Sequence, residues 1–576
     1  MREVMNLLAF AYGLVTAEYD YVVVGSGPGG GTLATELAMK GHKTLLIEAG
    51  PDYFKANQST PAFQAKASED PFISFDFNVK RHNNVNHFYP RAGALGGCSV
   101  HNAMISVYPN SRDFNLMNTI TGDAKWSEIN MRNYFKRLEN NQYLVIKQNP
   151  SHGFKGWLKT SYVSLLAQLK LDVSLINYGL AVIGKFGYDI NGKDGHKLNT
   201  DKEAKVFIPQ AVDKTSFTRS NFPNYIQEVA QHYPLTIWTD TFVTRVLFNA
   251  NIAVGVEYKK GRYLYKASPI SSDANRNQAT KGTVLAKKEV IISCGTFNTP
   301  QLLMLSGVGD RKHLSKFNIS VVAHVPGVGR NMMDRYEVPI SFKYPNEFKI
   351  LKNCKFTPTN DDPCYREYIE KGTGPYTSNG ILSGQLKKST PNRGEPDLFL
   401  LHSLSNFHGY FRGYSNNIAQ NTDSTSTVIL KAHTNNTNGR VKLLSADPFS
   451  PPDINFHSFS DGDSDLQILV EAVKAERASL RKILVSHTEV YPGSNIHTDE
   501  QIRQYVKDIA WGHHACCTAK MGAANDLNAV VDAKFRVRGT KNLRVVDMSI
   551  FPKIPGYFPT VYIHMMAMKA AEDILI

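Results

Sequence analysis

The chain has 576 residues and 64.3 kDa, more than one small core needs, and its 42% apolar and 20% charged residues are ordinary for a globular protein. Disorder and fibrous classes are excluded for the bulk. Six cysteines cannot build a disulfide scaffold, and no apolar run reaches the ~18–20 residues that cross a bilayer. The net charge of +14 is scattered in short clusters such as Lys259-Lys260, which argues against nucleic acid as a partner.

In chain order, Arg2 precedes an apolar stretch, Val4–Val15, which ends in the small residues Thr16 and Ala17. This grammar predicts a signal peptide over 1–17 and a secreted chain; a frayed or anchoring segment is the alternative. Sequons at Asn57, Asn318 and Asn435 fit a secreted glycoprotein. Tyr19–Val24 reads as a strand, Thr32–Lys40 as a helix and Thr44–Glu48 as a second strand, which makes a βαβ unit. Glu289–Ser293 predicts another strand running through Gly295 into a helix, Pro300–Leu305. Leu543–Asp547 is the last strand and Thr560–Ile576 a terminal helix. Nucleotide-domain elements therefore recur near the start, middle and end. The prediction is an α/β fold (α+β overall) with a discontinuous cofactor domain over 18–150, 221–335 and 505–576. A second domain is inserted as 151–220 and 336–504. Ser415–Gly439, rich in Asn, Ser and Thr, reads as a surface loop. Cys354 and Cys364 read as either a disulfide or free thiols, and Cys516-Cys517 as packing residues or a redox pair.

Gly25-Ser26-Gly27-Pro28-Gly29-Gly30 is GxGxxG between a strand and a helix, and Glu48 ends the next strand. The first two glycines allow a tight turn and close approach of backbone to a pyrophosphate. The third lets helix and strand pack, and the acid can bind a ribose. This predicts a dinucleotide without choosing between FAD and NAD.

Further motifs make that choice. YPRAGALGGCSVHNAMI (Tyr89–Ile105), WSEINMRNYFKRLE (Trp126–Glu139), SCGTFNTPQLLMLSGVG (Ser293–Gly309) and PGVGRNMMDRYE (Pro326–Glu337) occur in order, and LRVVDMSIFPKIP closes the series. Together they resemble the glucose–methanol–choline (GMC) oxidoreductases over the whole chain after the leader, most closely fungal choline-dehydrogenase-like members. The resemblance implies a Rossmann-like FAD domain with an inserted antiparallel-sheet substrate domain, and FAD as cofactor. It places Gly25, Ser26, Gly27, Gly30 and Glu48 at the ADP half and Val243 at the adenine. Gly96, Gly97, Asn102 and Ala103 follow along the pyrophosphate and isoalloxazine, with Asp547 by the ribitol. Gly93 departs from the basic residue often found there. His101, in the GGCSVHN context, is a candidate covalent FAD anchor; an ordinary buried histidine is the alternative.

Flavin oxidation of an alcohol needs a base for the hydroxyl proton while the carbinol hydride goes to flavin N5. Histidine suits that base. The family's base precedes a stretch like HxxGTxxM, here His514-Ala515-Cys516-Cys517-Thr518-Ala519-Lys520-Met521, with Cys517 in place of the usual glycine. The resemblance makes His514 the base and leaves His513 and His564 structural. It also expects a histidine or asparagine shortly after Asp547, yet neither occurs before Thr560. Tyr557 is then the candidate hydroxyl donor to the substrate oxygen, or else a pocket wall. The expected activity is an FAD-dependent alcohol oxidase or dehydrogenase. Its partners are a small-molecule alcohol and an electron acceptor, oxygen or quinone-like, with no metal and no nucleic acid. A non-redox flavin lyase or a catalytically lost paralogue are the alternatives.

Overall fold

The computed structural model describes residues 19–145, 149–162, 178, 189–192, 204–390, 393–481 and 486–576. The expected leader lies outside them. Among the described residues, no helix is long and apolar enough to cross a membrane.

Short, apolar, largely β-branched runs make a buried parallel sheet. Its strands lie in the order Leu235–Trp238, Thr44–Ile47, Tyr19–Val24, the second half of Thr280–Ile292, and Leu543–Val545. Val22, Val23, Leu45, Leu46, Val290 and Ile291 are fully buried, as a sheet covered on both faces requires. The first half of Thr280–Ile292 leaves this sheet and pairs antiparallel with Ile252–Lys260, which pairs in turn with Thr241–Asn249. One long strand thus joins a nucleotide-type sheet to a hairpin.

Helix Pro28–Met39 covers the parallel sheet and packs on the terminal helix Thr560–Leu575. It begins earlier than its apolar pattern predicts. Pro28 opens the first turn and three poor helix formers, Gly29, Gly30 and Gly31, follow. They are tolerated because the space admits nothing larger: a Cβ on Gly30 would lie 2.0 Å from the Gly25 carbonyl oxygen, and one on Gly29 would lie 2.3 Å from that of Val546.

A six-stranded antiparallel sheet stands opposite, in the order Thr488–Tyr491, Tyr336–Lys343, Ser424–Lys431, Leu398–Ser403, Ile381–Lys387 and Ala204–Val206. It corrects the surface-loop reading of Ser415–Gly439. That segment holds helix Tyr414–Gln420 and the strand Ser424–Lys431, which is buried along its whole length. Ser426 finds its partners inside: its Oγ donates to the Ser405 carbonyl at 2.7 Å and lies 2.8 Å from Ser341 Oγ. Cys354 and Cys364 are disulfide-bonded, and so are the adjacent, buried Cys516 and Cys517.

Candidate active site

One cavity of about 390 Å³ runs from the carboxyl ends of the parallel strands to the six-stranded sheet. This is where open α/β sheets bind ligands. At its first end Gly25 turns the chain with φ 99°, and Gly27 caps the following helix. Gly27 is the one loop glycine with open space before it: a Cβ there would meet nothing nearer than 3.9 Å. Glu48 is buried and accepts from Ser26 N at 3.1 Å, Ser26 Oγ at 2.6 Å and Gly50 N at 3.0 Å, while burial raises its pKa. Asp547 accepts from Gly295 N at 2.9 Å and Thr299 Oγ1 at 2.5 Å, and burial raises its pKa too. Val243 lines the same end. Gly30 and Gly96 do not reach the cavity. Gly30 is wedged against Gly25 and Ser293, and Gly96, at φ 92°, against Pro223.

Midway, Gly97, His101, Asn102 and Ala103 line the wall. Asn102 is held by Arg219 Nη1, which donates to its Oδ1 at 2.7 Å. His101 is 8% exposed, and its Nε2 is buried with no hydrogen-bond partner. A buried ring nitrogen without a partner is costly unless something else engages it. The open face at Gly27, the helix N-terminus behind it and this unpartnered nitrogen fit a dinucleotide, which these residues would hold. Beside it stands Cys98. Burial opposes ionisation of its thiol, but Arg91 and His101 outweigh burial and bring it down to about 6. Arg91 is the basic residue of this stretch, standing two positions before Gly93; it donates to the His513 carbonyl at 2.9 Å.

At the far end His513 and His514 both line the cavity, their rings 4.0 Å apart. Both turn Nδ1 toward Glu337 Oε1, at 3.4 Å for His513 and 3.6 Å for His514. His513 is the more accessible, its side chain 27% exposed against 10% for His514. Arg335 is buried and donates from Nε to His514 Nδ1 at 3.1 Å; its other nitrogens reach the carbonyls of Ala432, Pro555 and Gly556. Burial, then Arg91 and Arg335, push the His513 imidazole down to about 3. Burial, then the charge of Asp334, raise Glu337 to about 8. These three groups have the chemistry of metal ligands, but the lone pair of His514 Nδ1 is taken by Arg335 and is not open to a cation.

Tyr557 does not fill the expected role. Its ring is buried against Phe399, and its hydroxyl donates to the Pro396 carbonyl at 2.9 Å. One residue on, Phe558 faces the cavity with its ring edge-on to His514 at 5.9 Å. His564 is structural as expected: its Nδ1 lies 2.7 Å from Thr32 Oγ1, and burial lowers its pKa to about 3. Sequence reasoning missed Arg91, Arg335 and Glu337. All three lie inside quoted motifs, YPRAGA and DRYE, but nothing in their spacing says that they converge on two histidines far along the chain.

The GMC oxidoreductase family models match residues 19–337 and 435–567. The chain is 30% identical to a glucose–methanol–choline family oxidoreductase of Annulohypoxylon moriforme, over 96% of this chain and 94% of that one. It is also 30% identical to an alcohol dehydrogenase [acceptor] of Pseudomonas putida, over 97% and 96%. In fold it is similar to a formate oxidase of Aspergillus oryzae RIB40, with TM-score 0.79 at 21% identity, covering 97% of this chain and 98% of that one. A fungal aryl-alcohol oxidase superposes with TM-score 0.73 at 20% identity, covering 97% and 98%. The chain belongs to the GMC oxidoreductase family, FAD-dependent enzymes acting on alcohols or similar donors.

Proposed function

We propose that the protein oxidises a primary alcohol with an aromatic or other apolar substituent, with the histidine pair as the proton-handling centre. One observation carries this reading. The cavity that begins at Gly27 and Glu48 ends at His513 and His514 under walls of Tyr376, Leu404, Phe407, Tyr410 and Phe558. Those walls exclude water and favour an apolar group over a polyol. FAD, when bound, supplies the acceptor for the two electrons and the hydrogen of the carbinol carbon. The residues do the rest: Gly27 and the helix behind it receive the pyrophosphate, Glu48 the ribose, and an imidazole the hydroxyl proton. His101 Nε2 is the candidate covalent anchor, supported by its want of a partner. Acid precipitation of holoenzyme leaves the yellow colour in the pellet if the bond exists and in the supernatant if it does not.

A panel of aryl, alkyl and polyol alcohols, with choline, read by a dye acceptor and by peroxide, tests the substrate class. Aryl and allylic alcohols lead on this reading; turnover of polyols alone overturns it. We infer secretion from the leader at 1–17, the Cys354–Cys364 disulfide and the exposed Asn318 and Asn435 sequons. N-terminal sequencing of secreted material should begin near Glu18, and an intact Met1 on folded intracellular protein contradicts it.

A further inference from the structure

We propose that His513, backed by Glu337, takes the substrate hydroxyl proton at Nε2, and that His514, pinned by Arg335, donates a hydrogen bond to the substrate oxygen from its own Nε2–H. This rests on the alcohol-oxidising reading and exchanges the roles that the resemblance implies for the two neighbours.

Proton positions separate the two histidines. A neutral imidazole carries one proton, and which nitrogen has it is set by the partner of the other. Arg335 Nε is a donor and nothing else, always charged, and it points at His514 Nδ1 from 3.1 Å. Nδ1 of His514 must therefore accept, and the proton sits on Nε2. A nitrogen that already carries its proton cannot take the one from an alcohol. It can steady the oxygen as that proton leaves, which is the work of the donor missing between Asp547 and Thr560. Arg335 cannot turn away to release Nδ1, because its remaining nitrogens are tied to the carbonyls of Ala432, Pro555 and Gly556.

His513 has the opposite arrangement. Its Nδ1 is buried with no donor aimed at it, and Glu337 Oε1, 3.4 Å away, is likewise without a hydrogen-bond partner. Once Glu337 is ionised, its carboxylate holds the imidazole proton on Nδ1 and leaves the Nε2 lone pair free, as a third group orients any catalytic base. Both rings line the cavity, and the side chain of His513 is the more exposed of the two. In the step, the substrate O–H bond breaks, its proton forms a new N–H bond at His513 Nε2, and the bonding pair stays on oxygen. The carbinol hydrogen leaves with its two electrons by the redox chemistry of the family, which yields the carbonyl product.

The test uses the flavin-loaded full-length protein. Reduction of the flavin by an aryl alcohol is followed without oxygen in wild type, His513→Gln and His514→Gln. Glutamine keeps an N–H but has no imidazole lone pair. His513→Gln should slow reduction by at least ~10²-fold, the scale of a lost base. His514→Gln should slow it by about 10-fold or less, because the donor survives. The ring nitrogens of histidine-labelled wild-type protein, assigned through the same variants by nitrogen NMR, give a readout that needs no substrate. His514 should show a protonated Nε2 and an unprotonated Nδ1. The reverse order of the two variants, or a protonated Nδ1 on neutral His514, overturns this division of labour and leaves the alcohol reading standing. Failure of every alcohol to reduce wild-type flavin overturns both.

Discussion

A hydroxyl already given to a carbonyl cannot also serve a substrate, and that decides Tyr557. Its bond to Pro396 is buried and its ring packs on Phe399. Tyr557→Phe should leave flavin reduction within about twofold of wild type and cost about 1 kcal/mol of stability, the net worth of one buried hydrogen bond. Slowing by 10-fold or more would restore the tyrosine to the site. The sequence showed that a donor was missing but not where its replacement stood, since one residue of register separates Tyr557 from Phe558. The proton-handling pair also carries a pH dependence. His513 is faced by Glu337, His514, Arg91, Arg335, His101 and Tyr410, and Glu337 also by Asp334. Burial and Asp334 hold a proton on the Glu337 side, raised to about 8. While that proton remains, it faces His513 Nδ1 across 3.4 Å and favours the imidazole proton on Nε2. Losing it frees the Nε2 lone pair, so the two groups titrate as one. The rate constant for flavin reduction should therefore rise with pH through about 8, and Glu337→Gln should flatten that rise. A wild-type rate that falls over the same range contradicts the coupling.

Among the elements, the strand–loop–helix at the start was the most legible, because its glycines do distinct physical jobs that spacing alone encodes. Gly27 faces the open cavity and Gly30 faces backbone. Gly27→Ala should fold, with a melting temperature close to that of the flavin-free protein, yet purify nearly colourless. Gly30→Ala should lose stability with or without flavin, since its Cβ would sit 2.0 Å from the Gly25 carbonyl oxygen. Equal flavin content in Gly27→Ala and wild type would remove the loop from the cofactor site. Ser424–Lys431 was illegible for the opposite reason. Half its residues are hydroxylated and mimic a loop in composition, while Asp423, the Ser405 carbonyl and His402 take up the hydroxyls of Ser424, Ser426 and Thr427. The turn after the histidines was legible only in part. Cys517 stands where the family pattern has glycine, and it adopts φ 79°, the left-handed backbone that glycine takes freely. The sequence marked the substitution and left packing or pairing of Cys516 and Cys517 open; the structure bonds them.

At the scale of the whole molecule, the first strand, the long strand ending at Ile292 and the last strand at Val545 lie side by side although the chain wanders between them. Their carboxyl ends bring Gly25, Gly295 and Asp547 to one rim, and the six-stranded sheet closes the other side with Ile381, Leu401 and Val428. The parallel half was readable from periodicity and glycines. The convergence of Arg91, Arg335, Glu337 and the two histidines was not, because contacts between such distant segments leave no local pattern. On the proposed reading the molecule is built round one cavity, with FAD at one end and an alcohol at the other. Rapid mixing of oxidised holoenzyme with an aryl alcohol in the absence of oxygen tests this most directly. The account predicts that the oxidised flavin bleaches in one main phase, with a rate that saturates in alcohol and an aldehyde formed in equal amount. A flavin spectrum untouched by any alcohol, with the same protein cleaving a cyanohydrin, would contradict it.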